Sequence, residues 1–323
     1  MFKLREALVE ACITLIIGGL IGATVGVVAN LFVIGVESLG AHREASSLFS
    51  VNLGGQMVSF SSLLFLWAAA AAVLFIKTSL NINQWAGPAD SIFAAQQQYQ
   101  PLNIKQGFAS TLGAFASAGG GASVGQYGPI VHFGATVGVW AKRFVSSRLS
   151  DDIYLGCGVA AAISAGFNAP IAGIIFAHEA VLRHFSMRAI APITIASISA
   201  STLGNYWFPN TASLNIAAVV PSLSEVVPTL VVLAPMFSLV AIVFMLTLRR
   251  ASSVASLLKL SPTKLLFLGA TICGLVGLWI PQILGLGISS INYMIAGEFS
   301  LWLLATVLIA KILMTAVCLG CGL

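Results

Sequence analysis

The chain has 323 residues, of which 58% are hydrophobic and only 8% charged, and its mean hydropathy is +0.99. Soluble domains carry roughly a quarter charged residues, so this composition excludes one and requires an integral membrane protein. The formal net charge of +5 comes from basic residues in short connections, at Lys142-Arg143 with Arg148, Arg183 with Arg188, and Arg249-Arg250. Such groups mark candidate cytoplasmic loops rather than a nucleic-acid surface. Runs without Asp, Glu, Lys or Arg include 11–36, 51–76, 106–141, 153–178, 189–224, 226–248 and 265–297. A barrel would show alternating segments of about ten residues, which these continuous runs exclude. A helical span needs about 20 apolar residues, so about eight to eleven helical segments are expected.

In chain order, Lys3 and Arg5 precede an apolar stretch that could be a cleaved signal, but Glu6, Glu10 and the unbroken run 11–36 favour a retained first span. A second span is expected from Ser59 to Ile76. A polar break follows, Asn81 to Asp90, in which Gly87-Pro88 signals a turn and a helix start. Ser91 to Gln100 is amphipathic and leads to Lys105. Ile153 to Leu182 reads as a helix pair broken at Phe167-Asn-Ala-Pro170, where Asn168 can cap the new helix. Further spans are expected at 189–208, 229–248 and 265–280, with a polar connection from Ser252 to Lys264. A last apolar segment starts at Leu301 and reaches a glycine-containing turn at Cys318-Leu-Gly-Cys-Gly-Leu323.

The run 106–141 carries the strongest functional signal. Gly119-Gly-Gly-Ala-Ser-Val-Gly-Gln-Tyr-Gly-Pro129 places a glycine-rich turn and a Gly-Pro helix start inside an apolar stretch. Backbone that leaves a helix at membrane depth exposes N–H groups that lipid cannot satisfy, so it must line a polar cavity or hold a ligand. A helix restarting at Gly128-Pro129 aims free N–H groups and the positive end of its dipole at that ligand, which favours an anion. Five scattered cysteines include one CxxC pair, Cys318 and Cys321, best read as small core residues. His132 reads as a packing or pore-wall histidine, since no second metal ligand has suitable spacing. No catalytic set, cofactor motif or phosphate-binding loop is present, so no cofactor or metal is expected and a membrane enzyme is disfavoured.

Three stretches resemble the CLC family of chloride channels and chloride/proton antiporters. Gly121 to Ala135 resembles the family's G-R-E-G-P-x-V-x-x-G-A. Ala160 to Glu179 is similar to A-A-x-F-N-A-P-L-A-G-x-x-F-x-x-E-E. Pro281 to Gly287 resembles P-x-x-L-G-x-G. The resemblance implies an all-α fold of two inverted repeats with broken and re-entrant helices, forming a homodimer with one anion pore in each subunit. It implies a first repeat at 1–208, a connection at 209–226 and the opening of a second repeat at 227–323. The family's next motif, G-x-F-x-P, would follow Leu323, so the chain reads as ending inside that second repeat.

The resemblance further implies pore or anion-binding roles for Gly87, Pro88, Ala89, Ser91, Gly125, Gln126, Tyr127 and Gly128. Three positions depart from the family. Its gating glutamate falls on Tyr127, a neutral phenol at ordinary pH that can donate to an anion but cannot act as an anionic plug. A pore-wall aromatic with no gating role is the competing reading of Tyr127. The family's internal proton glutamate falls on Ala180, and Glu179 matches the acid before it; Glu179 can also pair with Arg183 one helical turn on. His178 is expected at the interface. The pore serine falls on Pro88, with Ser91 as the hydroxyl of a shifted alignment, and Asp90 would repel an anion unless it caps its own helix. These readings together predict passive chloride conduction in a multi-pass protein of the plasma (inner) membrane, without proton coupling. The other reading is a non-conducting, truncated or assembly-only subunit.

Overall fold

The computed structural model describes residues 2–46, 50–53, 56–96, 102–145, 149–209 and 222–323. Among these are twelve α-helices: α1 (Phe2–Ala45), α2 (Ser61–Ser79), α3 (Pro88–Gln96), α4 (Ile104–Gly119), α5 (Tyr127–Lys142), α6 (Asp151–Phe167), α7 (Pro170–Phe176), α8 (Met187–Trp207), α9 (Leu223–Leu257), α10 (Pro262–Trp279), α11 (Ile288–Ile295) and α12 (Leu301–Cys321). The count exceeds the expected eleven because short helices such as α3, α7 and α11 sit beside the long spans. One antiparallel hairpin, β1 (Ser50–Leu53) with β2 (Gln56–Ser59), is the exception to the all-α fold. Most of the 209–226 connection, the end of the Ser91–Gln100 stretch and Arg148 lie outside the described residues.

Among the described residues, five helices are long and apolar enough to cross a membrane: Ala11–Ala45, Ser61–Ser79, Ser224–Leu257, Pro262–Trp279 and Leu301–Cys321. Several boundaries differ from the expected ones. The first span continues past Val36 to Ala45, and α9 continues through Arg249-Arg250 to Leu257. Charged residues end the apolar core of a helix, but they do not end the helix once it reaches water. At 1.5 Å per residue α9 is about 52 Å long, against a hydrocarbon core of about 30 Å. It starts at a capping box, Ser222 with Glu225, which satisfies two of its first N–H groups. α12 also remains helical through Cys321 and turns only at Gly322.

The contacts group the chain into two compact units, one of 1–38, 75–115 and 125–213, the other of 39–74, 116–124 and 214–323. In the first unit, α1 crosses α8 through Gly18, Gly22 and Gly26, which face the backbone of Pro192, Ala196 and Ala200. Each member of this four-residue ladder lies too close to α8 for a side chain; a β-carbon on Gly26 would stand 2.9 Å from Ala200 Cα. Lipid provides no hydrophobic drive between helices, so such close backbone approach supplies the packing energy. α5 and α6 meet in the same way through Gly134, Gly138 and Gly158. In the second unit α12 packs on α9 and α10. Trp67 of α2 donates from Nε1 to Thr271 Oγ1 of α10 at 3.0 Å. None of the apolar window of Ser224–Leu257 is buried by the rest of this chain.

Candidate functional site

Three helices of the first unit start at or just before a proline: α3 at Pro88, α5 at Tyr127 with Pro129 third, and α7 at Pro170. Proline fixes φ for a helical start and has no N–H to leave unpaired. α5 restarts one residue before the expected Gly128. Its N-cap is Gln126, which makes no side-chain capping bond. Gln126 is buried, and its Oε1 lacks a partner among the described residues. The first N–H groups of a helix have no internal acceptor, and Pro129 has none to give, so Tyr127 and Gly128 present the open donors. Gly125 beside them borders open space: a β-carbon there would meet nothing within 4 Å among the described residues.

These helix ends converge. A β-carbon on Gly128 would lie 3.5 Å from Pro88 Cγ, which brings the start of α5 to the start of α3. The Tyr127 ring stacks on Phe167 at the end of α6, with centroids 3.9 Å apart and planes 19° from parallel. Gly166 provides the room, since a β-carbon on it would fall 2.9 Å from the same ring. The Tyr127 ring is therefore held against the break between α6 and α7. Asn168 supplies that break by adopting the left-handed conformation, φ +50, as the C-cap of α6. It does not cap α7 as expected: Ala169 holds the N-cap position without a side-chain bond. The Asn168 carbonyl oxygen instead accepts from Ser201 Oγ and Asn205 Nδ2, both at 2.9 Å, and is thereby tied to α8.

At α3 the structure resolves the question of Asp90. Its carboxylate accepts the Gly87 N–H at 2.7 Å, so it caps its own helix and engages the Gly87 donor. That leaves the N–H of Ala89 as the open donor of this turn. Ser91 is fully buried and its Oγ lies 2.7 Å from His132 Nδ1. The Ser91 hydroxyl is thus paired with the imidazole in the interior rather than at an open helix start. His132 is buried as well, and its Nε2 has no partner among the described residues.

The Glu179 and Ala180 positions lie elsewhere, on a π-helical turn, Ala177–Leu182, that follows α7 and packs on α3. Wider π winding moves the i+4 neighbour off the shared face, and Arg183 departs in the left-handed conformation at φ +58. Glu179 accordingly forms no ion pair with Arg183, contrary to expectation, and is exposed. His178 is 1% exposed rather than interfacial. Its ring stacks on Phe185 with centroids 4.9 Å apart. Its Nδ1 lies 3.2 Å from the His184 carbonyl oxygen, an acceptor only, so Nδ1 carries the hydrogen. Sequence reasoning also missed a cleft of about 780 Å³ whose lining includes Gln96, Asp151, Asp152 and His184. There His184 Nε2 stands 3.9 Å from Asp152 Oδ2. No cluster able to hold a metal ion occurs among the described residues.

Known proteins agree with this architecture. A family model described as voltage gated chloride channel matches residues 67–323. A protein of Yersinia pseudotuberculosis serotype IB (strain PB1/+) named H(+)/Cl(-) exchange transporter ClcA is 24% identical, over 96% of this chain and 66% of that protein. The protein of the same name from Vibrio vulnificus (strain YJ016) is 26% identical over 95% of this chain and 68% of its own length. The chain thus spans about two thirds of the length of these relatives. Among solved structures, a slow cyanobacterial Cl-/H+ antiporter superposes with a TM-score of 0.78 at 19% identity, covering 96% of this chain and 74% of that one. A CLC-type fluoride/proton antiporter gives a TM-score of 0.74 at 22% identity, over 96% and 76%. At these identities the structures establish a shared fold.

Proposed function

This chain belongs to the CLC family, and from that premise we propose that it moves small anions, chloride first, passively across a membrane without obligatory proton exchange. The observation that carries this reading is Tyr127 at the start of α5. A phenol stacked on Phe167 stands beside open backbone donors, where the family resemblance implies a carboxylate. A coupled site needs a group that fills the anion position when ionised and leaves it when protonated. Among the described residues, Asp90 is the carboxylate at these helix starts, and it is committed to the Gly87 N–H. At the internal position Ala180 has no proton to carry, and Glu179 faces outward.

Chloride is favoured because the similar curated proteins carry it in their names; the fluoride/proton antiporter of like fold makes fluoride the competing substrate. The division into a first repeat at 1–208, a connection and the opening of a second repeat at 227–323 belongs to the same proposal. So do a homodimer, residence in the plasma (inner) membrane and action as a transporter rather than an enzyme.

The test is chloride efflux from proteoliposomes across a pH series, for wild type and for Tyr127→Glu. Wild-type flux is expected to be nearly flat. The new glutamate should restrain flux at high pH, where it is ionised, and release it at low pH, where it is protonated. An unchanged pH response in the variant would show that residue 127 does not face the anion path.

A further inference from the structure

We propose that Arg43 and Lys311 form a binding site for a small inorganic anion of halide size. It lies wholly in the unit of 39–74, 116–124 and 214–323 and includes none of the helix starts at Pro88, Tyr127 and Pro170. Arg43 is on the last turn of α1, yet it is only 4% exposed. Its Nε and Nη1 have no hydrogen-bond partner among the described residues. Its Nη2 reaches Glu44 Oε1 at a long 3.4 Å, and the Glu44 side chain is 74% exposed. Guanidinium carries five N–H donors and no acceptor, and most of that capacity is buried and unused here.

Lys311 approaches the same place from α12. Its Nζ donates to the carbonyl oxygens of Ile283 at 2.8 Å and Gly285 at 2.9 Å. Both acceptors are neutral, so they orient the ammonium without cancelling its charge, and one of its three donors remains. Gly285 links the two cations. Its N–H donates to the Gly121 carbonyl at 3.0 Å, and a β-carbon on it would lie 3.7 Å from Arg43 Nη1. Gly121, at φ +101, lies directly against that same Nη1, where a side chain would collide with the guanidinium. Two glycines in left-handed conformations thus shape the turns around the Arg43 head group.

The surroundings are polar only in small groups. Ser123 Oγ and Thr315 Oγ1 lie 3.2 Å apart, the latter one helical turn beyond Lys311. The thiols of Cys273 and Cys318 lie beside each other, and that of Cys273 is near both cations. The carboxylate that touches this cluster among the described residues is that of the exposed Glu44. Two desolvated like charges repel each other and each loses its hydration, a cost that a counter-charge between them offsets. A monovalent ion accepts from several N–H donors at once, which matches the unused donors of Arg43 and the remaining one of Lys311. The inference rests on the cation pair and not on transport: a protein that conducts nothing can hold this ion, and a conducting one can lack it.

The test is anomalous diffraction from crystals of the wild-type protein grown with bromide in place of chloride. The expected map has a bromide peak within hydrogen-bonding reach of Arg43 Nη1 and Lys311 Nζ, and Arg43→Met loses that peak while any peak beside Gly128 persists. Lys311→Gln serves the same comparison if the Arg43 variant does not fold, and the wild-type map decides by itself if neither does. Peaks only at the broken-helix starts would overturn the proposal, with ionised Cys273 then the counter-charge to examine. A peak beside residue 43 that survives Arg43→Met would overturn it as well.

Discussion

The two units of this protein use their residues differently. The first is assembled by backbone contact: the Gly18–Gly22–Gly26 ladder against α8, and Gly134 and Gly138 against α6. That close approach fixes short, broken helices whose starts leave N–H groups open. The second unit is assembled around long spans, one of which, α9, leaves its apolar window unburied, and its turn at 281–287 is held by Lys311. The lesson is about how irregular backbone is tolerated in a bilayer. Where glycines let helices touch, the break itself becomes the site. At the 281–287 turn of the second unit, a lysine reaching carbonyls at 2.8 and 2.9 Å holds the break instead.

The contrast predicts where substitutions act. Gly22→Leu should have the largest effect, since the added side chain meets the Ala196 backbone directly. Overpacking a tight core costs about 1–3 kcal/mol, occasionally more, and here backbone rather than side chain must yield. Val232→Leu on the unburied face of α9, 70% exposed, should stay within about 0.5 kcal/mol. Detergent unfolding curves that rank the two alike would break the comparison. Ser91→Ala should follow, because it leaves His132 Nδ1 buried and unpaired at a cost of about 1–3 kcal/mol. A thermal midpoint unchanged from wild type would mean that another donor replaces the hydroxyl.

Tyr127→Ala removes the stack on Phe167, worth about 0.5–1.5 kcal/mol beyond area burial. Tyr127→Phe keeps the stack, so comparing the stability and flux of the pair separates the ring from its hydroxyl. Equal stability of the two variants would show that the stack contributes nothing. A small effect is expected for Trp67→Phe in the second unit. It loses the bond to Thr271 from a 41% exposed side chain, and a net hydrogen bond is worth about 0.5–1.5 kcal/mol. A loss as large as that of Gly22→Leu would mean that side-chain bonds, not glycine contact, dominate helix association here.

Much of the fold was legible because apolar runs and proline-marked helix starts obey local rules. Pro88, Tyr127-Gly-Pro129 and Pro170 each start a helix within a residue of the expected place. Helix ends were harder to read. Arg249-Arg250 looked like a loop, but α9 continues to Leu257 because a charged helix is stable once it leaves the hydrocarbon. The π turn at Ala177–Leu182 has no sequence signature, since a one-residue shift of hydrogen bonds changes no composition. At the site, Tyr127 was legible from its flanking glycines. The Ser91–His132 pair was not, because 41 residues separate partners that only the packing of α3 on α5 brings together. Arg43 sat unremarked beyond the first apolar run, and the last third looked featureless until Lys311 was seen to reach back to Gly285.

The central claim is anion movement without proton exchange. The most direct measurement is simultaneous recording of chloride and internal pH in proteoliposomes that hold the purified protein under a chloride gradient, with voltage clamped by valinomycin and potassium. The account predicts chloride flow down its gradient with internal pH unchanged by that flow. Protons moving against chloride in a fixed ratio would contradict it, and buried His178 would then be the group to replace first.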